Sequence, residues 1–264
     1  ACGRPAVFLC GDEREVQVLS ADLETLTGRR PVTLLGREWQ FRPGAVGSRD
    51  WERSRLAALY ALAQGDAPVV VATADGLMAR TLPPETLRSL AITLEVGGQA
   101  ELGALAEQLL SAGYTRCEQV EGVGQFALRG GILDVFSPLM DQPVRCEFFD
   151  DEIDSMGAFD PGTQRRTKNV TSAQILPAAE VLPHCAPGGL PGLADQLTAL
   201  AEKLAKKQKT EAIVQTLRED AERLRSGAAL GAADRYLAAI YPEVTAGVHY
   251  LPTDAVVFFS ESGR

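Results

Sequence analysis

The chain has 264 residues, which is enough for one large domain or two modest domains with a real hydrophobic core. Its content of 45% hydrophobic and 23% charged residues is typical of a globular protein. The sequence contains no apolar run of about 18 residues and no basic and apolar leader with a cleavage site. We therefore expect a cytoplasmic protein with no membrane span and no secretion signal.

The cysteines do not form a pattern that binds metal or builds a disulfide framework. No C-x-x-C pair occurs, and neither histidine stands at ligand spacing from a cysteine. We expect no metal site and reduced thiols, as is usual in the cytoplasm. The five cysteines are Cys2, Cys10, Cys117, Cys146 and Cys185.

The net charge of −9 is concentrated in the middle of the chain. Residues 91–177 contain six Arg and Lys against thirteen Asp and Glu, a net charge of −7. A surface this negative repels phosphate backbones, so a protein is a better candidate partner for this part than nucleic acid. The basic cluster formed by Lys203, Lys206, Lys207 and Lys209 has no interleaved aromatic residues, which favours a solvated helix face.

Strands and helices alternate in the first ninety residues, and this predicts a parallel α/β layer. Thr73 or Asp75 is placed to cap the helix that follows the third strand. The predicted strands are 6–10, 32–35 and 69–72, and the predicted helices are 13–26 and 50–64.

A compact α+β domain is predicted at residues 91–177, inserted between a first part (1–90) and a second part (178–264) of the α/β layer. The insert begins with a strand at 91–95 and a helix at 101–112. A meander of short strands follows at 124–160, and further strands at 165–168 and 171–176. In the second part we predict one long amphipathic helix at 193–225 and a final buried strand at 255–259 that rejoins the first sheet.

Strand alternation sorts the side chains of the meander between two faces. In the strand at 144–149, Arg145 and Phe149 point away from the face that carries Val144 and Cys146. Arg129 belongs to the same outer set. Two arginines beside an aromatic residue are typical of a protein-binding hot spot, although the ring could also pack under a neighbouring loop with both arginines solvated.

Two segments of the insert resemble a known family: GQFALRGGILDVF and VRCEFFDDEIDSMGAFDPGTQR. They are similar to the domain shared by the bacterial transcription-repair coupling factor (Mfd) and the excision-repair protein UvrB, which docks on UvrA. The resemblance implies that the UvrA-binding residues are Arg129, Arg145 and Phe149. Asp134 lies between apolar neighbours and would need a donor, which Arg129 or a turn amide could supply.

The first ninety residues also resemble the coupling factor, in REWQF, SRLAALYAL and VVVATADGLMARTLPP. The resemblance implies a nucleotide-hydrolase-like, helicase-like fold that no longer hydrolyses nucleotide. The sequence contains no G-x-x-x-x-G-K-[ST] phosphate loop, so we expect no catalytic residue and no cofactor in this chain. In the parent protein, ATP and Mg²⁺ would serve motor domains that act on DNA and stalled RNA polymerase, and a C-terminal domain would mask the docking face.

Two functions remain open from the sequence. The first is a non-catalytic module that recruits UvrA for nucleotide excision repair. The second is the nucleotide-binding part of a UvrB-like ATP-dependent DNA helicase, which requires a phosphate loop upstream of residue 1.

The acidic group Asp150, Asp151, Glu152 and Asp154 is interpreted as a solvated turn, because no histidine or nucleophile accompanies it.

Overall fold

The computed structural model describes residues 4–37, 50–207 and 211–260, so Cys2 and Lys209 lie outside the described residues. The described residues form two compact units, of which the first contains 4–37, 50–180 and 246–260 and the second 181–207 and 211–245. Among the described helices, none is long and apolar enough to cross a membrane. The described cysteines are free thiols.

The strands and helices are close to the predicted ones, with most bounds shifted by one residue or none. The strands are β1 (Ala6–Cys10), β2 (Val32–Leu34), β3 (Val69–Thr73), β4 (Ile92–Glu95), β5 (Thr115–Arg116), β6 (Gln125–Arg129), β7 (Ile132–Val135), β8 (Val144–Phe149), β9 (Glu152–Phe159), β10 (Arg166–Asn169), β11 (Ser172–Ile175) and β12 (Val256–Phe259). The helices are α1 (Glu13–Thr27), α2 (Asp50–Gln64), α3 (Ala74–Met78), α4 (Pro84–Leu90), α5 (Leu102–Ser111), α6 (Gly189–Ala205), α7 (Glu211–Arg225) and α8 (Leu237–Ile240).

The α/β layer is built on a parallel sheet with the strand order β12-β1-β3-β2. The inner residues of β3, Val70, Val71 and Ala72, are fully buried, as expected of a parallel strand that is covered on both faces. Thr73 caps α3, since its Oγ1 accepts a hydrogen bond from the Gly76 amide at 3.3 Å. The predicted class, an α/β layer with a parallel sheet and an inserted domain, is confirmed.

The prediction of a buried last strand is half right. β12 does rejoin the first sheet, parallel to β1, but Val257, Phe258 and Phe259 are exposed. Among the strands that the structure describes, β12 lies at the edge of the sheet with β1 as its neighbour. An apolar run alone does not distinguish an edge strand from a central one, and this is why the pattern suggested burial.

The prediction of one long helix at 193–225 is wrong, because the segment forms two helices. α6 ends at Ala205 and α7 begins at Glu211. Arg225, at the end of α7, donates to Thr198 Oγ1 and Asp195 Oδ1 near the start of α6 at 2.9 and 3.2 Å, so the helices run antiparallel. Folding back lets the apolar stripes of the two helices bury each other. The buried stripe residues are Leu193, Leu197, Ala201, Val214, Leu217, Ala221 and Leu224.

The inserted region contains a six-stranded sheet with the order β10-β9-β8-β7-β6-β5 and a two-stranded sheet of β4 and β11. Five neighbouring strands, β6 to β10, pair antiparallel. One face of the larger sheet packs with α5 into the main core, which includes Phe126, Leu133 and Cys146. A smaller cluster of Val120, Ala127, Phe136 and Phe159 forms a second core.

Candidate functional site

The sheet register places the three predicted residues on one face. Asp134 in β7 pairs with Arg145 in β8, and Arg129 lies two residues after Ala127, the β6 partner of Asp134. Phe149 lies four residues after Arg145 in the same strand. Since side chains alternate along a strand, Arg129, Asp134, Arg145 and Phe149 share one side of the sheet. We call these four residues the outer face.

Asp134 organises the outer face. Its carboxylate is fully buried and binds both arginines. Arg145 Nε donates to Asp134 Oδ1 at 2.7 Å and Arg145 Nη2 donates to Oδ2 at 2.8 Å, while Arg129 Nη2 donates to Oδ2 at 2.7 Å. A buried carboxylate is costly unless it is paired. The donor predicted for Asp134 is therefore present, and Arg145 adds a bidentate contact that the sequence analysis missed.

Arg145 is held more tightly than Arg129. Its guanidinium lies over the buried Phe159 ring, 4.6 Å from the ring centroid, and its side chain is 22% exposed against 48% for Arg129. The hydrogen bonds to Asp134 raise the pKa of Arg145 above its ordinary value, so this group stays charged. Arg145 is thus a fixed positive charge, and Arg129 is a more accessible one.

Phe149 is an exposed aromatic ring at the end of β8. It is 76% exposed, whereas its neighbour Phe148 is partly buried and packs against the main core. The register shift between β8 and β9 comes after Glu147, and the β8 residues themselves follow one another without a bulge. Strand alternation therefore sends the two rings to opposite faces. Phe149 therefore does not pack under any loop that the structure describes.

Two further features of this region were missed from the sequence. The first is Gln164, whose Oε1 accepts a hydrogen bond from Arg145 Nη2 at 3.2 Å. The second is a groove of about 540 Å³ beside Arg129, which Arg116, Cys117 and Gln119 also line. Burial raises the pKa of the Cys117 thiol, which keeps it neutral. The sequence carries no signal for either feature, because both depend on how turns bring strands together.

The acidic group at 150–154 lies at the hairpin between β8 and β9. Asp150 has a positive φ of 51°, and Phe149 and Glu152 pair across the two-residue turn. The side chains of all four acidic residues are exposed. Among the residues that the structure describes, no group of three or more His, Cys, Asp or Glu side chains could hold a metal ion.

A second buried carboxylate, Glu180, lies at the end of the inserted region. It accepts hydrogen bonds from Arg37 Nη1 at 2.6 Å, from Arg55 Nε at 2.7 Å and from Thr81 Oγ1 at 2.9 Å. Both arginines are almost completely buried. We call these four residues the Glu180 cluster. It ties the end of the insert to the α/β layer.

The Glu180 cluster lies at the carboxyl edge of the parallel sheet. Arg55 Nη1 donates to the carbonyl oxygens of Leu35 and Gly76 at 2.7 and 3.0 Å, just after β2 and β3. In open α/β sheets this edge is where ligands bind. Here the part near β2 and β3 is filled by protein ion pairs.

The inserted region is similar to a known protein family. Residues 92–180 match the family described as UvrB interaction domain. This chain contains a UvrB interaction domain. The match begins at the first residue of β4 and ends at Glu180, so the UvrB interaction domain includes the whole outer face.

The rest of the chain is also related to known proteins. It is 30% identical to the transcription-repair-coupling factor of Bacillus subtilis over 99% of this chain and 22% of that protein. The identity is 35% to the Myxococcus xanthus protein of the same name, over 84% of this chain and 19% of that protein. The identity to the Escherichia coli protein of the same name is 34%, over 67% of this chain and 15% of that protein. The chain thus spans about a fifth of the length of these relatives.

Proposed function

We propose that this chain is a non-catalytic interaction module that recruits UvrA during nucleotide excision repair. The observation that carries the proposal is the outer face of the UvrB interaction domain, where the exposed Phe149 ring lies on the same side of the sheet as two arginines anchored on Asp134. An exposed ring loses contact with water when a partner covers it, which favours association. Arginines that are already ordered lose little conformational entropy on binding.

The parent protein would act in transcription-coupled repair in the cytoplasm. Its other domains would bind RNA polymerase stalled at a lesion and translocate on DNA with ATP and Mg²⁺. The module described here would then bring UvrA to the lesion through the same kind of domain that UvrB uses. A C-terminal domain of the parent would cover the outer face until it is needed.

Charge supports a protein partner for this domain. Residues 91–177 carry a net charge of −7, and this disfavours contact with a nucleic acid backbone. On the outer face Arg129 and Arg145 share the carboxylate of Asp134, and Glu147 lies on the same side of β8 between Arg145 and Phe149. A partner surface that offers acidic groups to the two arginines and an apolar socket to the Phe149 ring would complement this face.

The alternative function, the nucleotide-binding part of a UvrB-like helicase, is not favoured. The relatives described above are all named transcription-repair-coupling factors. Buried ion pairs of the Glu180 cluster fill the part of the sheet edge near β2 and β3, and this also supports a module that does not bind nucleotide.

Titration calorimetry of the chain against purified UvrA tests the proposal. We expect binding by the wild type and its loss in the variant that combines Arg129→Ala, Arg145→Ala and Phe149→Ala. That variant leaves the buried Asp134 carboxylate without its arginines, so Phe149→Ala alone, which keeps both ion pairs, should also weaken binding in a chain that circular dichroism shows to be folded. If the wild type does not bind UvrA, the proposed function is wrong. A nucleotide titration of the same chain should give no binding, and saturable binding would favour the helicase alternative.

A further inference from the structure

Gln164 lies in an unusual backbone conformation next to the outer face. Its φ is 59°, and among the described residues Asp150 is the only other non-glycine residue with a positive φ. This left-handed region is unfavourable for a residue with a Cβ, and it is most often visited by glycine, asparagine and aspartate. Glutamine has no such preference, so the surrounding contacts must hold it there.

Both the nitrogen and the oxygen of the Gln164 side-chain amide form hydrogen bonds. Its Nε2 donates to the carbonyl oxygen of Pro161 at 2.7 Å and to that of Val120 at 3.3 Å. Its Oε1 accepts from Arg145 Nη2 at 3.2 Å. The backbone amide of Gln164 donates to the Asp160 carbonyl at 2.7 Å and closes the turn. One side chain therefore links the turn after β9, the loop before β6 and the guanidinium of Arg145.

Gln164 holds the Arg145 guanidinium together with Asp134 and Phe159. Asp134 binds its Nε and Nη2 atoms, and the Phe159 ring lies beneath the guanidinium plane. Gln164 contacts the group from the turn after β9, and its own carbonyl oxygen lies 3.5 Å from Arg145 Nη1. Asp134 and Gln164 together fix the position of the guanidinium and the direction of the one N–H group of Nη1 that these contacts leave over.

We propose that Gln164 is a positioning residue for partner docking, which holds Arg145 in the orientation that the partner recognises. This inference rests on the proposed function, because it names a residue that acts through Arg145 on the same face. The hydrogen bonds that the amide donates to the two carbonyl oxygens and accepts from Arg145 offset the cost of the unfavourable backbone conformation of Gln164.

Two substitutions separate the role of the amide from that of the backbone. Gln164→Gly relieves the positive φ but removes the amide. Gln164→Glu keeps the length and can accept from Arg145, but a carboxylate cannot donate to the carbonyl oxygens of Pro161 and Val120. Thr163→Ala is the matched control, since Thr163 Oγ1 bonds to Asp160 Oδ1 at 2.8 Å, a turn contact that does not involve Arg145.

The test is calorimetric titration of each variant of the 264-residue chain with purified UvrA. We expect Gln164→Gly and Gln164→Glu to weaken binding by about threefold to tenfold, the range of one hydrogen bond. The thermal midpoint of Gln164→Gly should change little, because relief of the positive φ offsets part of the cost of the lost hydrogen bonds. Thr163→Ala should bind as the wild type does. Wild-type affinity in both Gln164 variants would overturn the inference.

A double-mutant cycle decides whether Gln164 acts through Arg145. In a chain that already carries Arg145→Ala, Gln164→Gly should cause no further loss of affinity, whereas in a Phe149→Ala background the two losses should multiply. In the NMR spectrum of the Gln164→Gly variant without its partner, the Nε–H resonance of Arg145 should also shift. A full extra loss in the Arg145→Ala background would mean that Gln164 contacts UvrA itself, which contradicts the positioning role. Failure of the wild-type chain to bind UvrA would instead overturn the proposed function.

Discussion

Two fully buried carboxylates, Asp134 and Glu180, each bind two arginines, but the two sites differ in how far they are closed. At the Glu180 cluster the arginine side chains are 1% and 2% exposed. At the outer face they are 22% and 48% exposed. The same ion-pair chemistry thus holds two parts of the fold together at one site and presents charged groups to solvent at the other.

The difference follows from where the arginines come from. Arg37 and Arg55 belong to the α/β layer and meet Glu180 in the protein interior, where water cannot replace a lost partner. Arg129 and Arg145 lie on strands of the same sheet as Asp134. Both side chains are partly exposed, so water or a protein partner can accept from the N–H groups that the internal contacts leave over.

Glu180→Ala should give the largest effect, because it leaves Arg37 and Arg55 buried without their carboxylate. We expect a loss of about 3–5 kcal/mol in the free energy of unfolding, measured by urea denaturation. The matched control is Glu85→Ala, which breaks an exposed pair with Arg88 and should cost less than about 1 kcal/mol. Equal losses in the two variants would show that the Glu180 cluster does not hold the fold.

Asp134→Ala should cost less stability than Glu180→Ala, since both freed arginines can reach water. We expect a loss of about 1.5–3 kcal/mol in the free energy of unfolding, the range for hydrogen bonds to a charged group. UvrA binding by the folded fraction should also weaken, because Arg145 loses its main anchor. A loss of stability as large as that of Glu180→Ala would erase the distinction between the two sites.

Phe149→Ala should weaken UvrA binding by about 1–3 kcal/mol, as expected for an aromatic hot-spot residue, with little change in thermal midpoint. Phe148→Ala is the matched control one residue away. It should lower the thermal midpoint, because Phe148 packs against the main core. A large fall in midpoint for Phe149→Ala would mean that the ring belongs to the core.

The smallest expected effect is on the pH dependence of stability, through the turn that carries Gln164. Hydrogen bonds from Thr163 lower the pKa of Asp160 below its ordinary value. A lowered carboxyl pKa contributes stability above the unfolded pKa, and this contribution is lost as pH falls through the folded pKa. Between about pH 5 and pH 2, Asp160→Asn should therefore show a slightly flatter fall in stability than the wild type. Identical slopes would contradict the role of Asp160 in the turn.

Strand alternation allowed the outer face to be predicted, because the direction of a side chain along a strand is set by the backbone. The prediction that Arg129 donates a hydrogen bond to Asp134 also needed only the local sequence. The bidentate contact of Arg145 could not be foreseen, since it depends on the register of β7 and β8 across a loop. The contact of Gln164 required knowledge of a left-handed turn residue, which glutamine does not signal.

The Glu180 cluster lay beyond sequence reasoning for a different reason. Its ion pairs join residues 125 and 143 positions apart, and no periodic pattern links them. The break between α6 and α7 was missed because the apolar spacing resumes after the lysine-rich segment and so resembles one continuous helix. The exposure of β12 depends on its place at the edge of the sheet, which an apolar run does not specify.

Photo-crosslinking tests the central claim, that the outer face docks UvrA, most directly. A benzophenone amino acid would replace Phe149, and in a second protein Leu26, which is 80% exposed on α1 against 76% for Phe149. We predict that the chain labelled at position 149 crosslinks to UvrA and that the chain labelled at position 26 does not. A crosslink at position 26 without one at 149, from a chain that binds UvrA, would contradict the account.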